Sequence, residues 1–225
     1  MKREIKKTEE LHTAMCDVRN AFRLLKEYQE RMLNIVSYIK NRYAMPELAG
    51  RRHFCDKLRG KKNGYAEIQI WKDMWTWDFL YGYEFEYYLG SNELKDIKKK
   101  GKYAMSIIQV SDTGFHESSD ANKDPNQIET FKDSENSSSL LLFIFEWVKD
   151  DKDWLWDDSA AIFDKVKKEL LERQKPTMER ITKDNCFISA RYSIDRFLEQ
   201  SSCDEVLNEF DELVFNKCEV RLRKK

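Results

Sequence analysis

Four carboxylates in the middle of the chain have the types and spacing that metal or acid–base chemistry would need. Glu84 and Glu86 lie two apart in a stretch of period two, so in a strand they project from one face. Asp112 closes the next apolar segment, and Glu146 stands near the end of a further one, shortly before Lys149. Carboxylates gathered on one sheet face can hold Mg²⁺ and orient a hydrolytic water. A nuclease-type centre also wants an acid and a lysine on the same side of a strand, as Glu-x-Lys. Here Trp147 and Val148 separate Glu146 from Lys149, which sends the two side chains to opposite faces. An unusual metal-dependent nuclease or hydrolase built on Glu84, Glu86, Asp112 and Glu146 is thus the last of three functional readings. The bland account of these acids is a solvated face, or pairing with Lys and Arg.

Other chemistry finds less support. His12 and Cys16 are i, i+4 on a helical stretch, and His53 and Cys55 follow downstream. Four such ligands suffice for tetrahedral zinc, but the spacing matches no finger or ribbon, so no metal is expected. The three histidines, His12, His53 and His116, stand in no recognisable triad. Among seven glycines there is no G-x-S-x-G, P-loop or G-x-G-x-x-G, so no cofactor is expected and the balance leans away from an enzyme. Arg51, Arg52, Lys57 and Arg59, with Trp154 and Trp156, form the candidate binding set. Basic side chains grip phosphates and aromatic rings stack on bases. The second reading is therefore a nucleic-acid-binding protein, accessory to a mobile-element or defence system.

Composition restrains all of these. The 225 residues are 36% charged with a net charge of −1, which gives no global pull toward nucleic acid or anionic membrane. No apolar run approaches the roughly 20 residues of a membrane span. MKREIKKTEE carries no apolar leader region, and five cysteines form no tight pattern. Reduced thiols and a cytoplasmic location are expected.

The elements that would position these residues follow from periodicity. Thr8 to Tyr43 reads as one helix of roughly 50 Å, capped by Thr8. Its seam is Leu11, Met15, Val18, Phe22, Leu25, Gln29, Met32, Val36 and Ile39, with spacings alternating four and three, a heptad pattern. Ala14, Ala21, Tyr28 and Ile35 widen the stripe beyond what a two-stranded coiled coil requires. From Trp75 to Tyr87 every odd position is aromatic, which predicts a long strand with a bulge at Gly82, closed at Gly90-Ser91-Asn92. Tyr65 to Trp71, Tyr103 to Val110, Ser139 to Val148 and Cys186 to Leu198 are the other strands. Ser139 to Val148 is apolar enough to be central. Glu47 to Asn63 reads as irregular or a short helix, and Glu93 to Lys102 as a Lys-rich turn or helical turn ending at Gly101. Ser111 to Ser138 reads as a mobile hairpin insertion anchored by Phe115, Ile128 and Phe131. Helices are expected at Ser159 to Gln174 and from Cys203 to about Lys217, the second with a Ser202/Glu205 capping box, before a frayed basic tail.

This order predicts an α+β fold. A central antiparallel or mixed sheet of about five strands carries a long N-terminal helix and two C-terminal helices. Residues 1–45 form an amphipathic oligomerisation arm, and 46–225 an α+β body with its insertion at 111–138. The first functional reading is a non-catalytic interaction or regulatory protein, a homo-oligomer or the binder of a partner protein, with no membrane association.

Overall fold

The structure, a computed structural model, describes residues 2–52, 83–95, 100–125, 127–150, 152–154 and 159–222. It divides into two compact units, Met1–Tyr38 and Ile39–Lys225. The helix α1 spans Lys2–Arg42, so Thr8 lies inside it rather than capping it. The first turns are rich in Lys and Glu, good helix formers that extend the helix past the expected cap.

The described strands form one six-stranded antiparallel sheet. They are β1 (Ala49–Arg52), β2 (Glu84–Lys95), β3 (Lys100–Val110), β4 (Leu140–Val148), β5 (Thr177–Ile181) and β6 (Asn185–Ser193), in the order β1-β2-β3-β4-β6-β5. The α+β expectation holds, with the sheet wholly antiparallel. As expected, β4 is central, and all nine of its residues are buried.

Several expectations need correction. The strand entering Gly90 does not close there. β2 continues to Lys95, absorbing Gly90 in a register shift between Tyr88 and Ser91. Gly90 takes φ +95°, and an added Cβ would meet Pro46 Cγ at 2.8 Å. Glu93–Lys95 and Lys100–Lys102 are accordingly the two arms of the β2/β3 pairing, with Leu94 opposite Gly101, rather than turn or helix, and residues 96–99 between them lie outside the described residues. Within Glu47 to Asn63, Ala49–Arg52 is a strand paired to β2, at one edge of the sheet among the described residues. The second edge, β5, is a strand where the sequence analysis placed none. The helix from Ser159 runs as α3 (Ser159–Lys167) into a π turn over Lys168–Glu172. Strand β6 stops at Ser193 and gives way to a 3-10 turn, Ile194–Phe197. The expected strand Tyr65 to Trp71, and the part of the aromatic strand before Tyr83 with its Gly82 bulge, lie outside the described residues.

The sheet is covered on both faces, as the central strand β4 requires by being apolar at odd and even positions alike. On one face Ile108, Val110, Leu140, Leu142, Ile144 and Phe187 pack against Phe163, Val166, Leu170 and Leu171 of α3 and its π turn. On the other, Phe143 stacks edge-on with Phe210 and with Tyr192, at centroid distances of 5.2 Å each. Phe210 belongs to α4 (Gln200–Cys218). The last turn of α1 joins this side, where the Tyr43 hydroxyl donates to the Leu207 carbonyl at 2.8 Å.

Helix α4 begins at Gln200 without a side-chain cap. The Ser202 hydroxyl donates instead to the Glu199 carbonyl, so the Ser202/Glu205 box does not form. The tail is not frayed as far as Leu222. Val220 and Leu222 are buried, the Leu222 amide donates to Asp211 Oδ1 at 2.7 Å, and Arg221 stacks on Phe215. Cys186 at the start of β6 is bonded to Cys218 at the end of α4, with Cα atoms 5.9 Å apart. That disulfide corrects the expectation of five reduced thiols.

Candidate functional site

Two features carry chemical or binding potential: a buried polar row on the sheet and an exposed apolar stripe on α1.

The polar row follows from strand alternation. Glu84 and Glu86 of β2 project to the face covered by α3, as do Ser106 of β3 and Glu146 of β4. All three glutamates are buried, contrary to the expectation of a solvated acidic face. Burying a carboxylate is costly unless it is hydrogen-bonded, and each has its own partner. Glu84 Oε1 pairs with Nε2 of His116. The Ser106 hydroxyl donates to Glu86 at 3.0 Å, and the Asn185 amide to Glu146 at 2.5 Å. Tyr83 lies beside this row. Burial, then the nearby Asp112 and Glu84 charges, push its phenol pKa well up, and the Phe115 backbone opposes them.

His116 reaches Glu84 from a short helix, α2 (Gly114–Glu117), inside the 111–138 segment. That segment is no hairpin. Its two ends are joined to each other through Thr113, whose amide donates to the Ser138 carbonyl and whose hydroxyl accepts from the Ser138 amide. Glu117 pairs with Lys132 at 2.7 Å and with Arg191 at 3.5 Å. Arg191 also donates to the Leu170 carbonyl in the π turn, tying insertion, sheet and α3 together. Phe115 and Phe131 are in ring contact, as anchors should be, but Ile128 is 65% exposed and anchors nothing. A concavity of about 370 Å³ opens between residues 117–120 and 129–132, lined by charged and hydroxyl side chains.

No group of three or more His, Cys, Asp or Glu among the described residues is placed to hold a metal ion. Glu84, Glu86 and Glu146 share a face, but each serves a separate hydrogen bond. Asp112, half-buried after β3, accepts from the Gly114 amide and so holds the turn into α2. Lys149, after Glu146, is exposed and faces Asp184 at 3.6 Å. His12 and Cys16 are exposed on α1; His53 and Cys55 lie outside the described residues. Of the basic set, Arg51 and Arg52 fall on edge strand β1, and Lys57, Arg59 and Trp156 lie outside the described residues. Trp154 is half-buried, with the Lys102 ammonium 4.8 Å from its ring. The partners that sequence reading missed are His116, Ser106 and Asn185. Each is brought to its acid by a tertiary contact 20 to 39 residues away.

The apolar stripe is the other feature. On α1 the heptad seam divides in two. Leu11, Met15, Val18, Phe22 and Leu25 are exposed, at 60%, 46%, 45%, 59% and 44%. Gln29 is half-buried, and Met32, Val36 and Ile39 are fully buried. The exposed part of the expected seam is thus its first five positions. At 1.5 Å per residue these five span about 21 Å of helix.

The fold defines an α+β protein with, among the described residues, six antiparallel strands and a long N-terminal helix. The chain belongs to the family described as PM0109, whose model matches residues 8–219. No curated protein and no solved structure matches it. Among the described residues no helix is long and apolar enough to cross a membrane.

Proposed function

We propose that the protein is a non-catalytic interaction or regulatory protein that self-associates through α1. The observation that carries this reading is the continuous exposed stripe Leu11, Met15, Val18, Phe22 and Leu25. Single exposed apolar residues are ordinary on any surface, but a contiguous row marks an interaction site. Each such side chain yields about 1.5–3 kcal/mol when fully buried. A helix also draws most of its stability in water from packing of its apolar face. The buried acids weigh on the same side, because their carboxylates serve internal hydrogen bonds.

The test is sedimentation velocity on the wild type and on a Val18→Glu/Phe22→Glu double variant. The wild type should sediment as an oligomer whose population rises with concentration, and the variant as a monomer with the same melting transition for Ile39–Lys225. A wild-type chain that stays monomeric at the highest soluble concentration overturns the proposal.

The reading places the protein in the cytoplasm, as the scattered cysteines suggest. The Cys186–Cys218 bond pulls the other way, since disulfides persist chiefly in oxidising compartments. Lysis directly into denaturant with alkylating reagent decides between them, because Cys186, Cys203 and Cys218 are buried in the folded chain. Modification of all five cysteines is the outcome expected in the cytoplasm, and protection of Cys186 and Cys218 would move the protein to an oxidising compartment.

A further inference from the structure

We infer that the partner of the stripe is a second copy of α1, paired parallel and in register as a two-stranded coil. This inference rests on the self-association proposed above and adds its geometry. With Met15 and Phe22 at a positions, Leu11, Val18 and Leu25 are d positions. The flanking e positions are then His12, Arg19 and Lys26, and the g positions Ala14 and Ala21. One flank is basic and the other is small and uncharged.

That asymmetry separates the two orientations. In a parallel pair each g position faces the e position of the following heptad on the other chain. Ala14 then meets Arg19 and Ala21 meets Lys26. The long basic side chains can lay their aliphatic stems over the alanines and keep their charged ends in water. In an antiparallel pair e faces e. Layers that match Leu11 with Gln29, Met15 with Leu25 and Val18 with Phe22 set Arg19 against Arg19. Like charges there oppose association, and e and g charges are what set orientation in coiled coils. Lys26 already has an acid on its own helix, Glu30, at 2.5 Å on the side away from the seam. A parallel pairing leaves that ion pair intact.

Cysteine crosslinking tests the geometry, in a Cys16→Ser parent that removes the exposed thiol on α1. Leu11→Cys is the sensitive reporter. In the parallel pair the two copies of position 11 are adjacent, whereas in the antiparallel pair they lie at opposite ends of the stripe. Mild oxidation should convert Leu11→Cys to a covalent dimer and leave the parent uncrosslinked. A size-tagged Met15→Cys chain mixed with Leu25→Cys should give only like-with-like dimers. Unlike dimers in that mixture, with no Leu11→Cys product, would overturn the parallel orientation while leaving self-association standing. A sedimentation mass of three or four chains would overturn the two-stranded form. A monomer by sedimentation that also fails to crosslink would remove both this inference and the reading beneath it.

Discussion

Replacing Cys186 and Cys218 together by alanine is expected to lower the unfolding free energy by about 3–4 kcal/mol, the loop-closure entropy of a bridge of this span. The bridged residues are 32 apart in sequence. The bond links the first residues of β6, beside the centre of the sheet, to the last turn of α4. Past that turn the chain reverses through Glu219 in the left-handed region, and Val220 and Leu222 return to the core. The disulfide therefore fixes the point from which this C-terminal return is launched. Both cysteines are about 1% exposed, so alanine also leaves small voids that add to the loss. Urea titration with and without reductant separates the contributions. Reduction of the wild type should reproduce most of the shift, and the slope of unfolding free energy against urea should rise as the unlinked denatured chain expands. An unchanged midpoint after verified reduction would sink the prediction.

The elements visible in the sequence were those whose pattern repeats over a long span. Helix α1 announces itself through nine seam positions at alternating spacing, and β4 through an unbroken apolar run. The α+β class follows from their order. The edge strands gave little signal for a physical reason. β1 (AGRR) and β5 (TMERI) are short and charged, as edges that resist pairing with other chains commonly are. Neither alternates clearly enough to read. Gly90 misled because glycine punctuates turns and bulges alike, and only the β3 register shows the strand crossing it.

The division of the α1 seam was equally invisible. Phe22 and Val36 have the same heptad standing, and only tertiary structure separates the exposed residue from the buried one. The site shows the same limit. Alternation placed Glu84 and Glu86 on one face, correctly. It could not show that His116, 32 residues away across a turn-rich segment, would be folded back onto Glu84. A carboxylate's burial depends on what covers it, which strand periodicity does not encode.

That pairing supplies the other large expected effect. His116→Ala should destabilise the fold by about 3–5 kcal/mol, the range seen when one partner of a buried charged or hydrogen-bonded pair is removed. Glu84 is about 1% exposed, and its second oxygen, Oε2, accepts no hydrogen bond among the described residues. Losing the imidazole therefore strands a buried carboxylate, whose desolvation must be met by protonation, by water entry or by local opening. Two controls separate this from simple loss of ring packing against Phe115, 5.4 Å away. A Glu84→Leu/His116→Leu double variant removes both polar partners and keeps the volume, so it should recover most of the loss. Glu84→Gln retains a hydrogen-bonding oxygen for the imidazole and should cost less than His116→Ala. Hydrogen exchange adds a local readout: amides of Gly114 to Glu117 should lose protection in His116→Ala before those of β4 do, because α2 is held down through this contact. If His116→Ala unfolds within about 1 kcal/mol of the wild type, the size of an ordinary net hydrogen bond, the pair does not hold the insertion to the sheet. The ion pair of Glu117 with Arg191 of β6 would then carry that role.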